Sequence, residues 1–385
     1  MRSFVPLTRG TAETVKSSWA CGGRWLRGRR AATHHPGATR VRFAHGEKVA
    51  DVSETPIHAG GVATAAGEDC AMPDFVQAHS QQWIDHFVGQ GHDVRQLAAG
   101  VEGAVYDLGD GRVAKVWRAR RVAELKRMQS FYADVAAAGL HFSTPEILAI
   151  EYVNGLSVTY ERKLPGEPLQ QRLTLEDHAI DPAAARCVVE VLQALATIAA
   201  TPAMRQLAVL DEDQPMWAGA DTFRSALMNL LRRRVARFGP VIRDGLPDFD
   251  FRYEGLMDRL KTLTACPDTV IHGDLVPANI LVDAQARPLA VLDFGFLTTA
   301  GDPRLDAATA ASIMNMYGPH APSITQALTA QVAHDLGYPA EVLLIYQASY
   351  AVATANAFTA DGSDGHFAWC LSQLRRPDIA NALGL

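Results

Sequence analysis

Apolar and polar positions change their spacing twice along this chain of 385 residues, and the changes divide it. Over residues 1–42 no apolar period of 2 or 3.6 is sustained. The charges there are basic (Arg2, Arg9, Lys16, Arg24, Arg27, Arg29, Arg30, Arg40 and Arg42) apart from the single acid Glu13. Such a composition buries too little surface to offset its ordering entropy, so residues 1–71 are expected to be a disordered tail. The amphipathic pattern "MPDFVQAHSQQWIDHFV" starts at Met72 and marks that residue as an alternative start of the protein. From Leu97, "LAAGVEGAVYDLGDGRVAKVWRA" alternates with period two. It predicts strands over 104–106 and 112–116, joined by a turn at Asp110-Gly111. A helical pattern, "VAELKRMQSFYADVAAAG", follows.

The breakers "LPG" and "GEP" near Pro165 end this region, and helical spacing takes over. Asp181-Pro182 reads as an N-cap followed by proline at the first helical position. Val188, Val191, Leu192, Leu195 and Ile198 then fall on one face. A second helix is framed by Asp221 and by Gly239-Pro240. It turns Phe223, Leu227, Leu230, Leu231, Val235 and Phe238 inward and leaves Arg224, Arg232, Arg233, Arg234 and Arg237 mostly outward. The pattern predicts an α+β, bilobal chain: a small β-rich lobe over 72–162 and a larger, mainly helical lobe over 163–385.

Composition narrows the class. A chain that is 48% hydrophobic and 20% charged, with formal net charge −6, can bury a full core and carries no basic footprint for nucleic acid. No run of about 18 apolar residues exists, so no membrane span is expected, and the Arg-rich start lacks the apolar segment of a secretory signal. Cys21, Cys70, Cys187, Cys266 and Cys370 are scattered and odd in number. They suit a reducing compartment, so a soluble cytoplasmic protein is expected.

The chemistry is concentrated in "VIHGDLVPANILVD", residues 270–283. "TVI" and "NILVD" read as short strands flanking a loop, and "PLAVLDFG" as a further strand ending at Asp293. Asp274, Asn279 and Asp293 are thereby brought together. Carboxylate and amide oxygens without cysteine or a second histidine are hard ligands, suited to Mg²⁺ and ill suited to zinc. Lys115, inside the β pattern, needs a partner if buried, and Glu124 on the following helix is the nearest candidate. Singly, each residue has an ordinary reading: turn aspartates, a capping asparagine, a core histidine at His272, a solvent-facing lysine. Jointly, with glycines Gly100 and Gly103 ahead of the first strand, they fit phosphoryl transfer.

"HGDLVPANILVD", then "AVLDFG", then "GDPRLD" closely resembles the aminoglycoside phosphotransferase and choline kinase-like family, small-molecule kinases with a protein-kinase-like fold. The resemblance runs from about Gln96 to the C-terminal helices. It implies that Asp274 is the catalytic base and that Asn279 and Asp293 hold Mg²⁺. By the same resemblance Lys115 contacts the ATP phosphates and is steadied by Glu124, with Glu146 and Glu151 as substitutes. Gly100 and Gly103 bracket a loop over the triphosphate, and the backbone around Tyr160 and Glu161 receives the adenine. His272 supports the catalytic loop and Asp306 braces it. Gly273 stands where protein kinases carry arginine, which favours a small-molecule acceptor over a protein.

The acceptor is left open between a polycation held by acids such as Asp211, Glu212, Asp213, Asp221, Asp248, Asp250, Glu254 and Asp258 and an anion met by the 224–237 arginines. A solvated charged face is the ordinary alternative for both. An ATP- and Mg²⁺-dependent O-phosphotransferase, with an antibiotic among its candidate acceptors, is the leading expectation. A metabolic kinase for choline, homoserine or a sugar is the alternative, and a nucleotide-binding pseudokinase scaffold the rival of another class.

Overall fold

The computed structural model describes residues 72–385 apart from 101, 175–176 and 296, with side chains from residue 80 on. The expectations for residues 1–71, Cys21 and Cys70 included, lie outside it. Helix α1 (Met72–Gly89) precedes β1 (Arg95–Ala99), β2 (Gly103–Asp107) and β3 (Arg112–Trp117); α2 (Val122–Ala137), β4 (Ile147–Val153) and β5 (Leu156–Arg162) follow. The five strands form one antiparallel sheet in the order β1-β2-β3-β5-β4. Alternation along its strands gives it two different faces. Ala104, Tyr106, Ala114, Val116, Val158 and Tyr160 pack against Trp83 and Phe87 of α1. The opposite face carries Lys115 and Trp117 and is turned towards the rest of the chain.

Beyond it come β6 (Glu167–Pro168), α3 (Pro182–Leu195), α4 (Phe223–Gly245) and α5 (Phe249–Thr262). Four short strands follow: β7 (Thr269–Ile271), β8 (Ile280–Val282), β9 (Pro288–Val291) and β10 (Thr299–Gly301). Helices α6 (Pro303–Ile313), α7 (Ala321–Leu336), α8 (Ala340–Thr354), α9 (Gly365–Leu374) and α10 (Pro377–Leu383) complete the chain. Every residue of α6 is buried, and so is every residue of α8 from Ile345 to its end, which makes these two the centre of the helical core. Their neighbours contribute single apolar stripes, such as Val188, Val191, Leu192 and Leu195 of α3. Asp181 caps α3 as expected, its side chain accepting from the Ala183 amide at 2.9 Å. Among the described residues no helix is long and apolar enough to cross a membrane.

The α+β class holds, with corrections of detail. Helix α4 is capped by Thr222, not Asp221, and runs through Gly239-Pro240 to Gly245. A proline inside a helix removes one amide donor, but Phe238 and Ile242 are buried on either side of it, and their packing outweighs the local preference. Arg234 on the same helix is fully buried rather than outward-facing. The strands either side of the 272–279 loop exist but do not pair with each other: β7 pairs with β10, and β8 with β9. The "LDFG" strand ends at Val291, two residues before Asp293.

Candidate active site

The loop between β7 and β8 is fixed from beneath by one carboxylate. Asp306, buried in α6, accepts from the backbone amides of His272 at 2.6 Å and Gly273 at 2.8 Å. Burial pushes its carboxyl up to about 6, although both amide donors pull the other way. The His272 ring is fully buried; its Nδ1 accepts from the Asp274 amide at 3.2 Å, so its Nε2–H donates to the Leu292 carbonyl at 2.9 Å. Both ring nitrogens serve the backbone in the neutral form, and burial holds the imidazole down at about 4. Asn279 donates its side-chain amide to the Asp274 carbonyl at 2.9 Å, which reserves its amide oxygen for another partner.

Glycines set the approach of the two loops. Gly273 has φ +75°, and a Cβ there would come within 2.3 Å of the Leu297 carbonyl carbon. At Gly295 a Cβ would lie 2.3 Å from that of Asp274. Asp274 and the segment after Asp293 are therefore packed backbone to side chain, at a distance only glycine permits. Asp293 itself adopts φ +40°, an uncommon conformation for a non-glycine residue and one found at functional sites.

Asp274 is buried, and its Oδ2 has no hydrogen-bond partner in the protein. Burial first, then the charges of Asp293 and Glu102, raise its carboxyl well above the usual range. Lys115 donates to Asp293 Oδ1 at 2.8 Å, closing a contact between residues 178 apart in sequence. Burial works to strip the ammonium of its charge, but the carboxylates of Asp293, Glu102 and Glu161 more than offset this and raise it above its ordinary value. Asp293 is held down by the same contact, against the upward pull of burial. Between Gly100 and Gly103 the amide of Gly100 donates to the Gly103 carbonyl at 2.8 Å, and Gly103 (φ +150°) packs so tightly on Val116 that no side chain could be added.

Two assignments are corrected. Glu124 does not meet Lys115: its carboxylate accepts from the backbone amide and Nε of Arg121, where it caps α2. Glu146 and Glu151 do not substitute, being bonded to Arg162 and to the Tyr160 hydroxyl. A glutamate three residues into a helix is itself a capping signal, and that signal was present in the sequence. The second correction concerns Tyr160 and Glu161. Both lie inside β5, paired to β3 on one side and β4 on the other, so their backbone is taken up by the sheet and not presented to a base.

The cleft that Lys115 and Asp293 share is also lined by Glu102, Leu210, Asp211 and Phe358, residues that sequence reasoning did not connect with the chemistry, although it singled out Asp211 as an acid. Arg234 explains the wall: it bonds Asp211 and the carbonyls of Ala353 and Asn356, tying the 210–211 and 356–358 segments to α4. The period of α4 does set this arginine apart: it falls four residues after Leu230 and four before Phe238, on the buried stripe, and the sequence reading passed over it because of its charge.

A family model described as the phosphotransferase enzyme family matches residues 93–342. The chain belongs to that family. Membership makes it an O-phosphotransferase of small molecules, the reaction class its motifs led one to expect. Among solved structures, the phosphotransferase matches APH(2")-IIia in complex with GDP and kanamycin with TM-score 0.51 and 16% identity, over 79% of this chain and 99% of that one. It matches the GDP complex of aminoglycoside 2'-phosphotransferase-IIIa with TM-score 0.50 and 18% identity, over 80% and 99% of the two chains. Macrolide 2'-phosphotransferase MphH from Brachybacterium faecium matches with TM-score 0.45 and 20% identity, over 77% of this chain and 99% of that one. No curated protein matches the phosphotransferase.

Beneath the Phe358 wall of the cleft lies His366, whose ring centroid is 5.1 Å from that of Phe358 and whose Nε2 is 3.0 Å from the Thr354 hydroxyl. Burial holds its imidazole at about 4, although Asp364 pulls upward. Because the folded value is depressed below the unfolded one of about 6.5, its stabilising share is complete above that pH and is lost as pH falls towards 4. Acidifying from pH 7 to 5 costs the wild type about 2 kcal/mol through this residue. The drop in melting temperature over that interval is therefore expected to be a few degrees smaller in His366→Gln. Parallel drops by scanning calorimetry would refute this account.

Proposed function

We propose that the protein transfers the γ-phosphate of ATP to a hydroxyl of a small molecule. The observation that carries this is the Lys115–Asp293 contact: a part-buried ammonium and an aspartate in the left-handed region meet in one cleft, with the unpartnered Oδ2 of Asp274 on the loop packed against Gly295. The 72–162 lobe receives the nucleotide, with the base against the chain leaving β5, Lys115 on the α- and β-phosphates, and the loop from Gly100 to Gly103 over the triphosphate. The 163–385 lobe supplies the chemistry and the acceptor wall.

Asp274 orients the acceptor hydroxyl and takes its proton. As the new P–O bond forms, the bond from the γ-phosphorus to the bridging oxygen breaks and ADP leaves. Catalysis of this kind needs positioning and charge neutralisation more than covalent help. Asn279 and Asp293 offer a hard-oxygen pair that fits Mg²⁺. Among the described residues no cluster of three or more His, Cys, Asp or Glu is arranged to hold a metal on its own, which suits an ion that takes its remaining ligands from phosphates and water. Mg²⁺ bound there neutralises phosphate charge.

For the acceptor, the surface charges largely cancel. Asp211 pairs with Arg234 and Arg237, Glu212 with Arg233, Asp248 with Arg252, Asp250 with Arg243 and Asp258 with Lys261. Asp213, Asp221 and Glu254 are outside these pairs, so most, though not all, of the candidate charges are neutralised within the protein. The exposed Phe358 ring beside Leu210 favours an acceptor that brings an apolar face along with its hydroxyl.

The test is an acceptor screen with ATP and Mg²⁺, read by mass spectrometry for the gain of one phosphate. It covers aminoglycosides, macrolides, choline, homoserine and sugars. A phosphorylated product is expected, and its absence together with a failure to bind nucleotide would favour the scaffold.

A further inference from the structure

With Glu124 and the other carboxylate of α2 both engaged elsewhere (Asp134 accepts from the Thr201 hydroxyl), helix α2 offers Lys115 no acid. Three acids lie about Lys115: Asp293, bonded to it, Glu102, which lines the same cleft, and Glu161 on the neighbouring strand. Asp293 is the expected metal ligand, and Glu102 already accepts from Arg120 at 3.0 Å. Glu161 is placed differently. Thr159 stands directly opposite Lys115 in the β3–β5 ladder, and Glu161 lies two residues on, on the same face. At that diagonal, long side chains of neighbouring strands come within reach of each other.

A directed chain fixes this carboxylate. Trp117 Nε1, which can only donate, donates to Thr159 Oγ1 at 3.0 Å. The Thr159 hydroxyl in turn donates its own hydrogen bond to Glu161 Oε1 at 2.7 Å. The Lys115 ammonium lies 4.1 Å from the centroid of the same indole, an attraction that keeps it near the chain. Trp117 and Thr159 are both buried, so neither can exchange these partners for water.

Resting on the kinase reading above, we propose that Glu161, held by the Trp117–Thr159 chain, is a positioning residue for Lys115: the carboxylate that faces the ammonium once Asp293 is given over to the metal and the phosphates. In the nucleotide-free protein Lys115 is bonded to Asp293. Binding of a metal–nucleotide complex breaks that contact, and the ammonium then needs a second counter-ion that the nucleotide does not displace. Glu161 supplies it from the sheet, where other arrangements would use the helix.

The test is displacement of a fluorescent ADP analogue by ADP, with and without Mg²⁺, in wild type, Glu161→Gln, Thr159→Val and Thr159→Ser. Glu161→Gln is expected to weaken Mg²⁺–ADP binding about tenfold, roughly 1.4 kcal/mol, while leaving metal-free ADP within about threefold. Thr159→Val should shift binding the same way, and Thr159→Ser, which keeps the hydroxyl, should restore it. Mg²⁺–ADP binding by Glu161→Gln within twofold of wild type would overturn the proposal. So would equal losses with and without metal, or a serine variant as weak as the valine. Should Glu161→Gln not fold, the Val/Ser pair decides alone. Wild-type protein that binds no ADP would overturn the kinase reading and this inference with it.

Discussion

Asp274→Asn is expected to lower kcat by ~10²- to 10⁴-fold, the range for removing a general base, while ADP affinity stays within a few-fold of wild type. Asparagine matches aspartate in shape, so the tight packing against Gly295 survives and the loop keeps its hydrogen bonds. What is lost is the carboxylate oxygen that meets no partner within the protein and is left to accept a proton. In the proposed arrangement nucleotide phosphates are met by other groups, Lys115 above all. The measurement is steady-state transfer to whichever acceptor the screen returns, alongside calorimetric titration with ADP. A variant within tenfold of the wild-type kcat would remove Asp274 from the role of base.

Asp306→Ala is expected to have the largest effect on stability. It leaves two buried amides, those of His272 and Gly273, without acceptors, at about 1–3 kcal/mol each. Part is recovered, since the buried carboxylate is itself costly, as its elevation to about 6 records. A net loss of about 2–4 kcal/mol follows, a fall in melting temperature of roughly 3–6 °C for a folded region of this size. Because the same amides set the path of the loop through Asp274, kcat should fall in the folded fraction as well, with nucleotide affinity less affected. A variant that melts with the wild type would show that the loop is held by other means.

The motif "HGDLVPANILVD" was legible because its functional residues are sequence neighbours: spacing alone places Asp274 and Asn279 on one loop. Asp293 and Lys115 were legible as types at strand positions, and the structure joins them. What could not be read has one physical character, competition between local and distant partners. Glu124 had a local claim from Arg121 and a distant one from Lys115, and the local hydrogen bonds prevailed. At Arg234 and Pro240 the distant claim prevailed: the period of α4 places Arg234 on the buried face, but the carbonyls that receive it, like the packing around Pro240, come from parts of the chain that the period does not encode. Glu161 was singled out for its backbone, whereas the period-two alternation it shares with Thr159 places its side chain on the Lys115 face.

Arg234 has a consequence for how such an enzyme diversifies. One guanidinium fastens the two segments that carry Leu210, Asp211 and Phe358, and it does so from α4, a helix that holds none of Lys115, Asp274, Asn279 or Asp293. In the proposed arrangement, the acceptor wall and the reacting groups therefore rest on separate foundations. On the proposed function, substitutions along α4 are expected to reshape the pocket as a unit while the phosphoryl-transfer apparatus stays as it is, so that substrate range and catalytic competence can change separately.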